Sequence, residues 1–220
     1  MTAEVRTLDL RADPDADLVE VVEHLRGGGV VAYPTETVYG LGGMCTARGV
    51  LGVQEFKGRG SHKPLIVLVD SAETVQGLGW TEGARELAKI FWPGPVTLVL
   101  RDPHGIFPPG VRSEETGSVG VRVTPHPIAA RLVAELGAPL TSTSLNRSGQ
   151  TPVSSGHEAG ELCARGATAV WVLNAGTLPP SGPSTVVDCT GNEPVVLREG
   201  IVPIGRLRCA IPEIHGQQSG

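Results

Sequence analysis

Apolar residues recur at helical spacing in some stretches of the chain and run unbroken in others, and the two patterns alternate. Between Asp17 and Arg26, Leu18, Val21, Val22 and Leu25 fall on one helical face, and Gly27-Gly28-Gly29 supplies a stop. Val30 to Tyr33 reads as a short buried strand that delivers Pro34 to Gly42 as a loop at its end. Thr46 caps a second helix that runs to Phe56, and Leu65 to Val69 is a strand by its branched apolar run. Ala84, Leu87, Ala88 and Phe91 share one face of a helix over Thr81 to Phe91, which Trp92-Pro93-Gly94-Pro95 ends.

Two strand-like runs follow, Val96 to Leu100 and Val119 to Val123, separated by a loop that contains Phe107-Pro108-Pro109-Gly110. Pro127 suits the first turn of a helix that buries Ile128, Leu132, Val133 and Leu136 and stops at Gly137. Pro139 to Ser144 is then a strand running into a polar loop, and Ala169 to Leu173, Thr185 to Cys189 and Val195 to Arg198 are later strands. Interleaved helices and strands predict an α/β sheet. It is mixed rather than purely parallel, because Val96 to Val123 and the C-terminal strands lack helical crossovers. With no repeat or low-complexity linker, the expectation is a single domain over residues 1–210 and a flexible tail over 211–220.

Composition narrows the function. A chain of 220 residues, 40% of them hydrophobic, suits one domain with a substantial core, while 30 glycines and 18 prolines imply many turns. No apolar run approaches the roughly 20 residues that cross a bilayer, and the acidic N-terminal segment lacks the parts of a signal peptide. The default is therefore a cytoplasmic protein with no membrane partner. Cys45, Cys163, Cys189 and Cys209 are far apart and form no Cys-x-x-Cys pair, which reads as free thiols and no metal site. A formal net charge of −5 disfavours a protein that coats nucleic acid non-specifically. From Lys57 to Val69 the balance reverses: Lys57, Arg59 and Lys63 occur without an acidic residue, marking a candidate anion site.

No Gly-x-x-x-x-Gly-Lys-Ser/Thr loop, Gly-x-Gly-x-x-Gly turn, His-Glu-x-x-His or Gly-x-Ser-x-Gly is present. Three polar clusters remain, each at a predicted strand end, where open α/β sheets bind ligands: Thr35 to Tyr39, Lys57 to Lys63, and Ser142 to Gly149. The third serves either as a Ser/Thr turn or as hydrogen-bonding groups for a phosphate. Lys57 and Arg59 fit a solvated helix end or an anion site. Glycine on both sides of Arg59 favours the latter by allowing close backbone approach. Arg122, inside an apolar run, either points to solvent or is paired.

Taken together the segments resemble the YrdC-like family of threonylcarbamoyl-AMP synthases. The resemblance rests on Pro34-Thr35-Glu36-Thr37-Val38-Tyr39-Gly40-Leu41-Gly42, Lys57-x-Arg59 with Lys63-Pro64-Leu65, Trp92-Pro93-Gly94-Pro95-Val96-Thr97 and Val121-Arg122-Val123. It continues through Ser144-x-Asn146-x-Ser148-Gly149, Pro183-Ser184-Thr185-Val186-Val187-Asp188 and Leu197-Arg198-Glu199-Gly200. What it implies is a twisted mixed sheet with flanking helices around a concave basic cavity, and synthesis of threonylcarbamoyl-AMP and pyrophosphate from L-threonine, bicarbonate and ATP, with Mg2+ accompanying the ATP. The product would serve threonylcarbamoyladenosine formation in tRNA through downstream transferase proteins. The resemblance suggests Thr35, Arg122 and Ser184 around threonine, with Tyr39 on the cavity wall. Around ATP it suggests Lys57, Arg59, Lys63, Ser142, Ser144, Asn146 and Arg198, with Lys57 and Arg59 as the catalytic cations.

Two positions depart from the family pattern: Gly60 replaces a usual proline, and Leu68 stands where many members carry a histidine that would touch threonine. The length matches the family's short, single-domain form. Two other readings of the same residues are a non-catalytic module binding tRNA or double-stranded RNA, and a paralogue with another carbamoyl or acyl acceptor. The acidic total and the scarcity of aromatic stacking residues count against the RNA module.

Overall fold

A computed structural model describes residues 4–58, 63–147, 149–166 and 168–216. In chain order the elements are β1 (Val5–Asp9), α1 (Val19–Arg26), β2 (Val30–Pro34), β3 (Tyr39–Gly42), α2 (Ala47–Lys57), β4 (Ile66–Leu68), α3 (Glu82–Phe91), β5 (Val96–Arg101) and β6 (Ser118–Arg122). There follow α4 (Pro127–Leu136), β7 (Leu140–Ser144), α5 (Gly156–Ala164), β8 (Val170–Asn174), β9 (Thr185–Asp188), β10 (Val195–Arg198), α6 (Ile204–Ala210) and β11 (His215–Gly216). The strands form one mixed sheet in the order β1-β8-β2-β3-β7-β4-β6-β5-β9-β10-β11.

Local chemistry explains the helix ends. The hydroxyls of Thr46 and Thr81 accept from the backbone N–H of Gly49 (3.2 Å) and Ala84 (3.1 Å), each satisfying a donor left over in a first turn. Gly137, at φ 65°, ends α4 in the left-handed conformation that glycine adopts without Cβ strain, and its N–H donates to the Val133 carbonyl.

Alternation along the strands sorts side chains into two apolar layers. Val30 and Ala32 of β2 and Val170 and Val172 of β8 belong to the layer that also takes in α2, α3, α5 and α6. Val31, Tyr33, Trp171 and Leu173 face α1 and α4. Full burial of each Val or Leu contributes about 1.5–3 kcal/mol. On β5 and β6, Val96, Leu98, Leu100, Val119 and Val121 all join the first layer. Among the described residues, the second layer takes only Leu68 from β4 and nothing from β5, β6, β9 or β10. That half of the second face carries Thr97, Arg122, Ser142 and Arg198 beside Ile66, Val99 and Val186, and it holds the candidate site.

The structure corrects the sequence-based outline in places. Pro34 to Gly42 is not a loop throughout: Tyr39–Gly42 is β3, antiparallel to β2 and turning back at residues 35–38. Gly40 and Gly42 weaken the strand pattern there, yet a Cβ on Gly42 would press on the Thr141 carbonyl oxygen, so close strand approach requires glycine. Val5–Asp9, with charges at Arg6 and Asp9, pairs in parallel with β8. The unexpected α5 starts at a capping box in which Ser155 and Glu158 satisfy each other's backbone N–H groups, a Ser-x-x-Glu signal legible in the sequence. The tail expected over 211–220 does not begin at 211. Ile211 and Ile214 are buried and His215–Gly216 pairs with β10, because the core offers those two isoleucines an apolar seat; residues 217–220 lie outside the described residues.

Candidate active site

Directly paired residues share a face, so register locates the site. Ile66 pairs with Ser142, and Leu68 with both Leu140 and Arg122. Val186 pairs with both Thr97 and Arg198. By alternation, Ser142 and Ser144 of β7, Arg122 of β6, Thr97 of β5, Ser184 just before β9 and Arg198 of β10 lie on one face. Tyr33 and Gly40 extend it, since Gly40 pairs with Tyr33 and Ser144.

Arg122 is the most constrained member, its side chain only 4% exposed. It does not point to solvent, one of the two alternatives its position in an apolar run allowed. Its Nη1 donates to Glu36 Oε1, and Glu36 Oε2 accepts from the Thr124 hydroxyl at 2.8 Å. A buried guanidinium without a carboxylate would be strongly destabilising, and Glu36 removes that penalty. Arg122 Nε, however, is buried and finds no partner among the described residues. An unsatisfied buried donor costs about 1–3 kcal/mol, which an anion brought to that edge would recover. Glu36 and Thr124 were not assigned by sequence reasoning. The available signal was an arginine inside a strand, which needs a carboxylate, and an acid in the Pro-Thr-Glu-Thr run.

Glu36 is aimed by the turn that carries it. The Thr35 hydroxyl donates to the Val38 carbonyl (2.7 Å) and accepts from the N–H groups of Thr37 (3.2 Å) and Val38 (3.3 Å). It also lies 2.8 Å from the Thr37 hydroxyl, so Thr35 is committed to closing the turn.

Arg198 is fixed on the other flank. Its Nη2 donates to the Ser184 carbonyl (2.9 Å) and hydroxyl (3.3 Å), and that hydroxyl meets Thr97 Oγ1 at 3.1 Å. Burial lowers the pKa of Arg198 below its ordinary value, and the charge of Arg122 lowers it further, which places two cations within electrostatic reach.

Lys57, the last residue of α2, is buried and donates from Nζ to the Ser144 carbonyl (2.8 Å) and to Asn146 Oδ1 (2.5 Å). The Ser144 hydroxyl donates to the same Oδ1 at 2.7 Å, and Asn146 Nδ2 donates to the Gln150 carbonyl at 2.6 Å. Burial pulls the Lys57 ammonium down to about 8. Arg147 ties this loop to α2 by donating to the Phe56 carbonyl at 2.6 Å with its guanidinium over the Phe56 ring. Ser142 is buried beside Tyr33, and Lys63 is exposed just ahead of β4. Arg59 lies outside the described residues.

Tyr39 does not join this cluster, contrary to the expectation that it forms the cavity wall. It faces the first apolar layer, and its hydroxyl is held between the Gly176 carbonyl and the Ala175 N–H, both at 2.9 Å. Strand alternation is the reason: Gly40, not Tyr39, shares Tyr33's face. Leu68 packs with the α1/α4 layer and presents no polar group. Hollows of about 470 and 550 Å3 lie beside Arg48 and Arg6, and neither is lined by a residue of this cluster. Among the described residues, no three His, Cys, Asp or Glu side chains gather to hold a metal ion, and no helix is long and apolar enough to cross a membrane.

The Arg122 and Arg198 cations and the hydroxyls of Thr97, Ser142, Ser144 and Ser184 share one sheet face, a chemistry suited to an anionic ligand. Residues 23–200 match the Sua5/YciO/YrdC family model, described as "Telomere recombination", and the chain belongs to that family. Over 206 residues it is 36% identical to a putative threonylcarbamoyl-AMP synthase of Mycobacterium leprae (strain TN), covering 89% of this chain and 90% of that protein. It is 35% identical to the threonylcarbamoyl-AMP synthase of Bacillus subtilis (strain 168), covering 91% of this chain but 58% of that relative's length. The crystal structure of P. abyssi Sua5 complexed with L-threonine has a TM-score of 0.85 at 33% identity, covering 97% of this chain and 62% of that one.

Proposed function

We propose that this chain is a threonylcarbamoyl-AMP synthase, converting L-threonine, bicarbonate and ATP into threonylcarbamoyl-AMP and pyrophosphate for threonylcarbamoyladenosine modification of tRNA. The observation that carries this reading is the shared face of Arg122, Arg198, Ser184, Ser142 and Ser144, in a family whose relatives bear that name. Its fold matches a relative solved with L-threonine. The face then serves as a basic cleft. Arg122 and Ser184 receive threonine, and Thr35 shapes the turn beside it. Lys57, Arg59, Lys63, Ser142, Ser144, Asn146 and Arg198 hold the nucleotide.

In the reaction, the threonine amine adds to CO2 formed from bicarbonate and loses a proton, giving a carbamate. A carbamate oxygen then attacks the α-phosphorus of ATP, the bond from that phosphorus to the bridging oxygen breaks, and pyrophosphate leaves. No protein nucleophile is needed. Fixed cations lower the barrier by holding the reactants in line and opposing the charge that builds on the phosphates. Magnesium belongs to this scheme as part of the MgATP substrate. The product passes to downstream transferases acting on tRNA in the cytoplasm.

The test is to incubate the protein with ATP, bicarbonate and each amino acid in turn. A threonine-dependent adenylate seen by mass spectrometry, with stoichiometric pyrophosphate, is expected. RNA binding that falls steeply with salt, without threonine-dependent ATP consumption, would reject the enzyme in favour of a nucleic-acid module.

A further inference from the structure

Glu36 occupies both of its carboxylate oxygens within the protein, one on Arg122 Nη1 and one on the Thr124 hydroxyl. It reaches them from a turn closed by the Thr35 hydroxyl, so its own freedom is small. A guanidinium offers two edges for bidentate recognition of a carboxylate. Here one end is taken by Glu36, while Nε, on the other edge, is buried and unpartnered. Glu36 is the carboxylate that holds Arg122 by Nη1 among the described residues.

We propose that Glu36 is a positioning residue: by gripping Arg122 at Nη1, with Thr124 as its own anchor, it turns the Nε edge toward the cleft as the seat of the amino-acid carboxylate. This rests on the reading of the chain as a threonylcarbamoyl-AMP synthase for the identity of the carboxylate, but not for the geometry. Glu36 touches no reacting atom. Its effect is on how tightly the amino acid is held, and ATP is held by other side chains.

Two variants and two readouts test it. Glu36→Ala should raise the KM for threonine by about 10- to 100-fold, as loss of an ordered charge pair does, with the KM for ATP changed less than about twofold. Glu36→Gln, which keeps an acceptor oxygen and a donor for Thr124, should recover most of that loss. In 15N-labelled protein, L-threonine should shift the Arg122 Nε–H resonance in the wild type and leave it unmoved in Glu36→Ala, provided the backbone spectrum shows that the variant is folded. A resonance that responds in the wild type without pyrophosphate release would uphold the positioning role and reject the synthase activity. Pyrophosphate release with an unchanged threonine KM in Glu36→Ala, or an equal rise in the KM for ATP, would overturn the positioning role alone. Should Glu36→Ala fail to fold, Thr124→Val decides: loss of Glu36's anchor should weaken the threonine-induced Nε–H shift and raise the KM for threonine, and an unchanged shift and KM overturn the grip. An Nε–H that ignores threonine in the wild type refutes the seat outright.

Discussion

Replacing Lys57 with methionine separates the stability of this protein from its affinity for ATP, and the two should move in opposite directions at neutral pH. Lys57 is buried, and burial lowers its pKa from 10.5 to about 8. At about 1.4 kcal/mol per pH unit, keeping the ammonium charged costs the folded protein about 3 kcal/mol. A depressed lysine pKa carries that cost fully below pH 8, where folded and unfolded chains are both protonated. Between pH 8 and 10.5 the unfolded chain holds more protons than the folded one, so wild-type stability rises with pH. Lys57→Met keeps the stem and removes the charge, relieving the cost but giving up hydrogen bonds to Ser144 and Asn146 at about 1 kcal/mol each. The variant should therefore be about 1 kcal/mol more stable at pH 7 and about 2 kcal/mol less stable at pH 10.5, a swing of about 3 kcal/mol. Urea denaturation of both proteins across that range measures it. ATP affinity in the variant should fall at least about 30-fold, since the proposed site sets this buried cation against phosphate, and the wild type's own affinity should decline above pH 8. A stability difference that stays constant from pH 7 to 10.5 would refute the reasoning.

Further outcomes follow from the same site and sheet. Arg59→Ala should lower kcat/KM for ATP by about 30-fold or more, as loss of a bidentate phosphate contact does; pyrophosphate release at the wild-type rate would remove Arg59 from the phosphate site. Valine has threonine's shape without its hydroxyl, so a site that hydrogen-bonds that hydroxyl should discriminate against it on the order of 10⁴-fold in kcat/KM. Equal turnover of the two amino acids would contradict such a site. Gly42→Ala should destabilise the fold by about 1–3 kcal/mol, because its Cβ would meet the Thr141 carbonyl oxygen and force the hairpin from β7; an unchanged thermal midpoint would count against that contact.

Local pattern was enough to set the helices α1 to α4 and most central strands, because each buries a continuous apolar stripe or run that needs no distant partner to be recognised. Thr46 and Thr81 were legible as caps for the same reason: their hydroxyls satisfy donors three residues away. Lys57, Ser142 and Ser144 could likewise be picked out from residue type and neighbours, whereas Ser184 and Arg198 entered only through the family resemblance, and Arg122 stood out only as an arginine in an apolar run. Elements that depend on pairing could not. The strand β3 is rich in glycine, β1 carries two charges in five residues, and β11 is two residues long; each is a strand only because a neighbour presents its backbone.

The chemistry of the site shows the same division. Sequence alone established that Arg122 sits in an apolar run and that Glu36 lies in a polar one, but 86 positions separate them. Only sheet register set them in contact, put Tyr39 on the opposite face from Tyr33, and left Arg122 Nε buried without a partner. Side-chain alternation is fixed by counting residues within one strand, whereas the face a strand turns to its neighbour is fixed by the hydrogen bonds between strands, and those exist only once the chain has folded.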